Sequence, residues 1–530
     1  MPVSESTSIA LKATLSADQR TAAAALLRAN TSPTVAELGD LFARAGHDLA
    51  LVGGPVRDVF LGGRPKDLDL TTDAVPERVL EITRKWADKT WTVGIEFGTV
   101  GLRKAGEIFE ITTYRSEAYD AASRKPDVKY GTSLEADLER RDFTINAMAA
   151  RLPAFDLVDP FGGLQALRDK AIRTPGRPED SFSDDPLRIL RAARFAARLG
   201  FAVAGDVQAA MGAMAARLSI VSAERITDEL SKLMLTATPE TGLDLLVRTG
   251  VADIVLPELP ALRMEVDEHH RHKDVYTHSL TVLRQAIDLE PRYGLEPDLV
   301  LRLAAILHDI GKPGTRTMLP GGKVAFHHHE VVGAKMARKR LTALRFPKDV
   351  VADVSRLIEL HLRFHGYGDG EWTDSAVRRY VRDAGPLLTR LHALTRADCT
   401  TRNVRKAARL AATYDALEDR IAVLRDQEEL DKIRPDLDGG EIMRILGLTP
   451  GPDVGKARNY LLELRLEHGS LGKERATQEL LRWASAEGLR RTSGPDAAAE
   501  SPGAESPGAE SPGEGPVGGS PAGDRPAASQ

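Results

Sequence analysis

The hydrophobic pattern of this 530-residue chain changes character once, near Asp184. Between about residues 33 and 175 the runs DLALVGG, DLDLTTD, EIFEITTYR and AFDLVDP read as strands separated by helix-like stretches. Beyond Asp184, apolar residues recur at three- and four-residue spacing almost without a break, as amphipathic helices require. PLRILRAARFAARLGF is the clearest case, and Gly200 supplies its stop signal. The expected architecture is an α+β head, with a mixed sheet and helices, followed by all-α modules. Its parts are an N-terminal extension (1–32, with a short Ala-rich helix near 21–29), the head (33–175) and a neck (176–260, punctuated by Pro257 and Pro260). A histidine-rich module (261–420), a helical arm (421–491) and a tail (492–530) follow. The tail repeats ESPGA, a composition that cannot bury a core, and is expected to be disordered.

A chain this long exceeds one core, which agrees with several domains. Its content of 42% hydrophobic and 28% charged residues is ordinary for a globular protein. No segment approaches the roughly eighteen consecutive apolar residues of a membrane span, and MPVSESTSIALK lacks the apolar core of a signal peptide. With a single cysteine, Cys399, these features predict a cytoplasmic protein with no disulfide framework and no membrane partner. The net charge of −5 comes from the tail, where six acids and one base follow Thr492, so residues 1–491 are neutral. Neutrality leaves RNA binding open, because clustering of basic residues decides it.

Within the head, Asp67 and Asp69 of RPKDLDLTTD follow the Gly53-Gly54 pair of DLALVGGPVRD. Strand side chains alternate, so Asp67 and Asp69 share a face while Leu68 and Leu70 enter the core. Two carboxylates on one face repel unless a cation lies between them, and Mg²⁺ prefers oxygen ligands. A strand, a Gly-Gly turn and a helix from Pro55 offer free backbone N–H groups to an anion. Gly53, Gly54, Arg57 and Asp58 are accordingly the nucleotide-binding candidates of this turn. A phosphate cradle beside a metal-binding acid pair is the equipment of a nucleotidyl transferase. Glu110, in EIFEITTYR, is the candidate third carboxylate. In DLERRDFTINAMA, Arg141 suits phosphate neutralisation and Asp142 suits ribose hydroxyls, with Asn146 on the same face. A helix start capped by Asp142 is the competing account.

SFSDDPLRILRAARFAARL places Asp185, Arg188, Arg191 and Arg194 on one helical stripe. Arg only donates and ionised Asp only accepts. Cytosine (N3 and O2 acceptors, N4 donor) and adenine (N1 acceptor, N6 donor) both satisfy one Asp–Arg pair, whereas uracil O4 and guanine O6 set an acceptor against the Asp. A good bidentate pair gives about 1–3 kcal/mol of discrimination. A side-chain pair can thus select C and A without a nucleic-acid template. An amphipathic helix with a cationic face is the plain alternative.

Taken in order, LVGGPVRD, DLDL, RRDFTINA, DPFGG and DDPLRILRAARFAARL resemble class II tRNA nucleotidyltransferases, the CCA-adding enzymes and their bacterial poly(A) polymerase relatives, over roughly residues 45–260. The resemblance implies a nucleotidyltransferase-fold head in which Asp67 and Asp69 hold catalytic Mg²⁺ and Gly54, Arg57 and Arg141 hold the triphosphate. It further implies that Asp185, Arg188, Arg191 and Arg194 serve the base and neighbouring phosphates, with tRNA, CTP and ATP as substrates. One departure is Asp184, where the family usually has Glu.

Ten of the thirteen histidines fall between His269 and His365. HKDVYTHSL carries His278, LAAILHDIGKPG ends a helix in His308-Asp309, and LTRADCT carries Asp398. Neutral imidazoles with carboxylates suit a divalent metal. This order resembles the HD superfamily of metal-dependent phosphohydrolases, with His329 and His361 where some members bind a second metal. In CCA-adding enzymes the resemblance implies phosphatase or 2′,3′-cyclic phosphodiesterase activity with a second divalent metal of unassigned identity. An HD fold kept for structure alone is the competing account.

The arm segment LDGGEIMRILGLTPGPDVGKARNYLLELRLEHG resembles the C-terminal segment of long nucleotidyltransferases. Across residues 401–490, Arg402, Arg405, Lys406, Arg409, Lys456, Arg458, Lys473 and Arg475 are candidate RNA contacts, with a solvated charged helix face as the competing account. Two other readings compete: a poly(A) polymerase using the same head, and an HD phosphohydrolase whose head only recruits RNA. A dinucleotide-binding domain is disfavoured because the glycines do not follow G-x-G-x-x-G.

Overall fold

The computed structural model describes residues 16–489 apart from 66, 116–130, 132, 264–273, 321–323, 368–371, 402 and 429–432. The tail, the first fifteen residues, His269, His270, His272, Arg402 and the side chain of His365 thus lie outside the described residues. The chain forms two compact units that divide between Ile433 and Arg434.

The first unit opens with a helix over Ala17–Asn30, started by a Ser16–Gln19 capping box and burying Ala23 and Leu27. A seven-stranded sheet follows: β1 (Leu49–Val52), β2 (Leu68–Thr72), β3 (Lys89–Trp91), β4 (Thr99–Lys104), β5 (Glu107–Thr113), β6 (Ala149–Arg151) and β7 (Asp156–Val158). Their order is β3-β4-β5-β2-β1-β6-β7. Only β2 and β5 pair in parallel, so the sheet is mixed as expected. The run LALV of β1 is buried throughout, as suits a strand flanked on both sides. In β2, Leu68 and Leu70 are buried while Asp69 faces out, the alternation read from the sequence. Strands β3, β4 and β6 escaped that reading: KTW and AAR are three residues each, and TVGLRK is interrupted by Gly101.

Helices take over after β7. Pro178–Asp184 leads to the neck helix Arg188–Leu199, which ends at Gly200 in the left-handed region (φ +67°). One expectation is corrected here. Asp185 does not share the helical stripe; it sits in extended backbone between the two helices (φ −142°), where its Oδ1 accepts from Leu187 N–H (3.1 Å). The Asp-Pro step forces this, since a residue before proline is driven out of the helical region. The helix Ala223–Met234 packs behind the neck helix. The histidine-rich module is built from Val275–Leu289, Leu299–Leu307, His329–Ala343, Lys348–Leu360 and Leu388–Asp398, with the long helix Val404–Glu428 against it.

The second unit contains the helices Gly439–Leu446, Pro452–His468 and Gly472–Ala486 around Ile442, Leu446, Ala457, Leu461 and Leu480. No helix among the described residues is long and apolar enough to cross a membrane.

Candidate nucleotide-binding and metal sites

In the head, Asp69 and Glu110 are register partners in the parallel β2–β5 pair, so both carboxylates leave the same face of the sheet. Asp67, two residues earlier, is exposed on that side. The Asp69 carboxyl is pushed above its ordinary range by desolvation, then by Glu110, with Asp67 adding to it and Arg141 opposing. Such mutual repulsion with an all-oxygen donor set fits a hard divalent cation.

The turn after β1 reaches the same place. Gly53 takes φ +76° and starts the helix Gly54–Phe60; a Cβ on it would lie 3.0 Å from Arg141 Nη1. Glycine thus lets the guanidinium close on the turn. Arg141 is braced by Asp137 (Nη2–Oδ2 3.1 Å), while its Nε is buried with no partner.

Arg57 is buried, donating to Asn146 Oδ1 (2.5 Å), pairing with Asp58 (2.7 Å) and lying over the Phe195 ring. Asp142 is also enclosed. It accepts from Asn146 Nδ2 (2.9 Å) and binds Arg191 Nη2 (2.7 Å). Burial would raise its pKa, but Arg191 and Asn146 outweigh burial and hold the carboxyl below its usual range. Its described partners are therefore internal, and it organises the site from within.

At the neck, Arg188 donates from Nη1 to Ser181 Oγ (2.8 Å) and from Nη2 to the Arg140 carbonyl. Asp184 faces outward. Arg191 and Arg194 are tied to Glu229 (3.3 and 2.6 Å), and Asp185 Oδ2 is bound by Arg225 Nη2 (2.8 Å). Sequence reasoning passed over Arg225 and Glu229. The available signal was their four-residue spacing in ERITDEL, which puts both on one face of a helix.

In the histidine-rich module, side chains at or near five helix ends converge. His278, His308 and Asp398 offer ligand atoms within 4.8 Å of one another, as do Asp309, His329 and His361. The four-residue cluster read from the sequence is thus one triad plus the carboxylate of a second. Asp309 Oδ2 joins them, lying 3.2 Å from His308 Nε2 and 3.5 Å from His278 Nε2. His308, His329 and His361 each direct Nδ1 to the carbonyl three residues earlier (2.8, 2.8 and 2.6 Å). That contact keeps a proton on Nδ1 and points Nε2 inward, where it can bind a metal once Nε2 is deprotonated, as metal-binding histidines are commonly arranged. Asp309 Oδ2 and His329 Nε2 are buried without a well-directed hydrogen bond, although Lys312 Nζ lies 2.9 Å from the former. Burial opposes charge on Asp309, but His308 and Lys312 outweigh it and hold its carboxyl well below the usual range. A buried cluster of N and O ligand atoms of this kind fits a divalent transition metal.

Of the candidate RNA-contacting cations between residues 401 and 490, Lys456 pairs with Asp453 (2.9 Å) and Lys473 with Glu441 (2.5 Å), while Arg405, Lys406, Arg409, Arg458 and Arg475 are exposed.

Comparison with known proteins fits this geometry. Residues 49–173 match the family described as the Poly A polymerase head domain, 200–262 the probable RNA and SrmB- binding site of polymerase A, and 275–403 the HD domain. The A-adding tRNA nucleotidyltransferase of Deinococcus radiodurans is 33% identical over 455 residues, covering 82% of this chain and 95% of that one. The CC-adding tRNA nucleotidyltransferase of Thermus thermophilus is 33% identical, covering 84% and 96%. The crystal structure of the Bacillus stearothermophilus CCA-adding enzyme in complex with CTP superposes with a TM-score of 0.59 at 25% identity, over 86% of this chain and 99% of that one. With relatives matched over almost their whole length and the head, neck and HD motifs in sequence, the chain belongs to the family of tRNA nucleotidyltransferases that carry an HD domain.

Proposed function

We propose that this protein adds CCA to the 3′ end of tRNA from CTP and ATP without a nucleic-acid template, in a cytoplasmic setting. The observation that supports it most is the meeting of the Gly53 turn, Arg141 and the Asp69–Glu110 pair on one side of the sheet. The primer 3′-hydroxyl attacks the α-phosphate and pyrophosphate leaves. Asp67 and Asp69, with Glu110, would hold Mg²⁺, which when bound lowers the hydroxyl pKa and offsets charge on the phosphates. Arg141 and the backbone N–H groups after Gly53 hold the triphosphate, while Arg57 and Asp58 fix the helix beneath it. Asp185 and Arg188 read the base edge, Asp142, Asn146 and Arg191 keep the neck against the head, and Arg194 braces the neck through Glu229.

His278, His308, Asp309, Asp398, His329 and His361 would hold one or two divalent metals, which when bound activate water against a phosphoester. A hydrolase acting on damaged or cyclic-phosphate RNA ends follows from that site.

A tRNA transcript lacking CCA, incubated with CTP, ATP or both, tests the main reading. Growth by three nucleotides only when both are present is expected. Long tails from ATP alone would overturn it in favour of a poly(A) polymerase. A division of labour is a second reading, because two relatives matched over nearly their whole length are an A-adding and a CC-adding tRNA nucleotidyltransferase. A stop after CC with both nucleotides present, or extension only of tRNA already ending in CC, would establish it. Asp67→Ala should abolish extension in every case.

A further inference from the structure

We infer that Trp91, laid across Gly101 on the outer strands of the head, is a stacking platform for a base at the 3′ end of the RNA primer. The inference rests on the nucleotidyl-transfer reading above and adds to it the place where the second substrate sits.

Strand register places the ring. Trp91 pairs with Gly101, Gly101 with Glu110, and Glu110 with Asp69. Directly paired residues project to the same face, so indole and carboxylates form one row across four strands. Gly101 is what allows the ring to lie down. A Cβ there would be 2.0 Å from both Cε2 and Nε1 of Trp91, so the indole occupies the space a side chain would fill. Strands are spaced about 4.8 Å apart, which sets the ring about one spacing from the strand of Glu110. The indole is only half-buried, and the segment that follows leaves Val93 and Phe97 exposed.

The side of the acids matters as much as the distance. The Gly53 turn follows β1, on one side of β2, whereas Trp91 lies on the other side, beyond β5 and β4. Phosphoryl-group displacement is in line, so the attacking oxygen enters opposite the leaving pyrophosphate. With the triphosphate at the Gly53 turn, the primer terminus must come from the side of Trp91.

Charge supports the same occupant. Lys89 and Arg103 are register partners two residues from Trp91 and Gly101, on the same face, and both are exposed. Neither makes an ion pair among the described residues, and Asp88, whose charge Arg103 also feels, is bound by Lys104 (3.2 Å). An aromatic face flanked by unpaired cations is how single-stranded nucleic acid is held without sequence preference.

The test uses the full-length protein and a tRNA transcript whose 3′-terminal nucleotide is 2-aminopurine, read by fluorescence in the absence of CTP and ATP. Wild type should quench the probe on binding, Trp91→Phe should retain most of the quenching, and Trp91→Ala should lose it. Gly101→Ala, which displaces the ring, should behave like Trp91→Ala. In steady state, Trp91→Ala should raise KM for tRNA by about 5- to 160-fold, the range for loss of one stacked base, with KM for CTP unchanged. Lys89→Ala with Arg103→Ala should flatten the salt dependence of primer binding by about 1.4 in log–log slope if each meets one phosphate. Equal quenching by wild type and Trp91→Ala, or a shift of KM for CTP in place of KM for tRNA, would overturn the proposal. Because quenching needs no catalysis, a wild-type protein that binds tRNA but does not extend it would count against the proposed function and not against this platform.

Discussion

Glu229 is only 3% exposed and carries two arginines, Arg191 and Arg194, on its two oxygens. Removing one partner from a buried charge cluster costs about 3–5 kcal/mol, because the remaining charges stay desolvated and unpaired. Glu229→Ala should therefore lower the midpoint of urea unfolding by more than any exposed ion-pair deletion, such as Lys232→Ala, and Glu229→Gln should lose less. Asp142 gives the pH dependence. Its folded-state pKa is depressed, so its contribution is complete above the ordinary carboxylate value of about 3.9 and is lost as pH falls through the folded value. Asp142→Asn should be clearly less stable than wild type at pH 7, and the difference should shrink below about pH 4. A gap that stayed constant or widened in acid would show that Asp142 is not held ionised. At this scale the sequence exposed what local periodicity encodes. Asp67 and Asp69 were legible because a strand alternates, and His308-Asp309 because a helix visibly ends there. Glu229 was not, because its meaning depends on arginines 35 and 38 residues away in the chain.

The helix Ala223–Met234 shows how one element serves two tasks. Arg225 and Glu229, one turn apart, grip Asp185 on one side and the neck arginines on the other. Asp185 cannot be fixed by its own helix, since the Asp-Pro step leaves it in extended backbone. Its carboxylate is instead oriented by Leu187 N–H and Arg225. Arg225→Ala should therefore relax base choice more than it slows extension. Incorporation of UTP and GTP relative to CTP and ATP should rise about tenfold, the value of roughly one mispositioned hydrogen bond. Loss of rate with unchanged selectivity would assign Arg225 a purely structural part. Two of the three strands missed in the sequence share one trait. Strands β3 and β6 are too short for two periods of alternation, and two of the three residues of β6 are alanines, whose intrinsic preference is helical. Pairing with β4 and β1 overrides that preference.

Across the first unit, the head site and the histidine site draw on different residues but share supporting structure. Thr227, on the helix that holds Asp185, donates to the carbonyl of Leu344 beyond the helix that begins at His329. Arg302, on the helix that runs into His308, donates to the carbonyls of Met234 and Thr236 (both 2.7 Å) and pairs with Glu290. These contacts carry stability between modules and carry no substrate. The two chemistries should consequently separate by single substitutions. His308→Ala removes one Nε2 donor from the first triad and the neighbour of Asp309, so bound transition metal measured by mass spectrometry should fall and hydrolysis of a 2′,3′-cyclic phosphate should disappear, while CCA extension in Mg²⁺ persists. Asp67→Ala should do the reverse, abolishing extension with metal content at the histidine site and hydrolysis intact. If His308→Ala instead kept its hydrolysis, the histidine triads would be a packing feature; if it lost extension while remaining folded, the modules would be energetically coupled through Thr227 and Arg302, and Arg302→Met should then reproduce the loss.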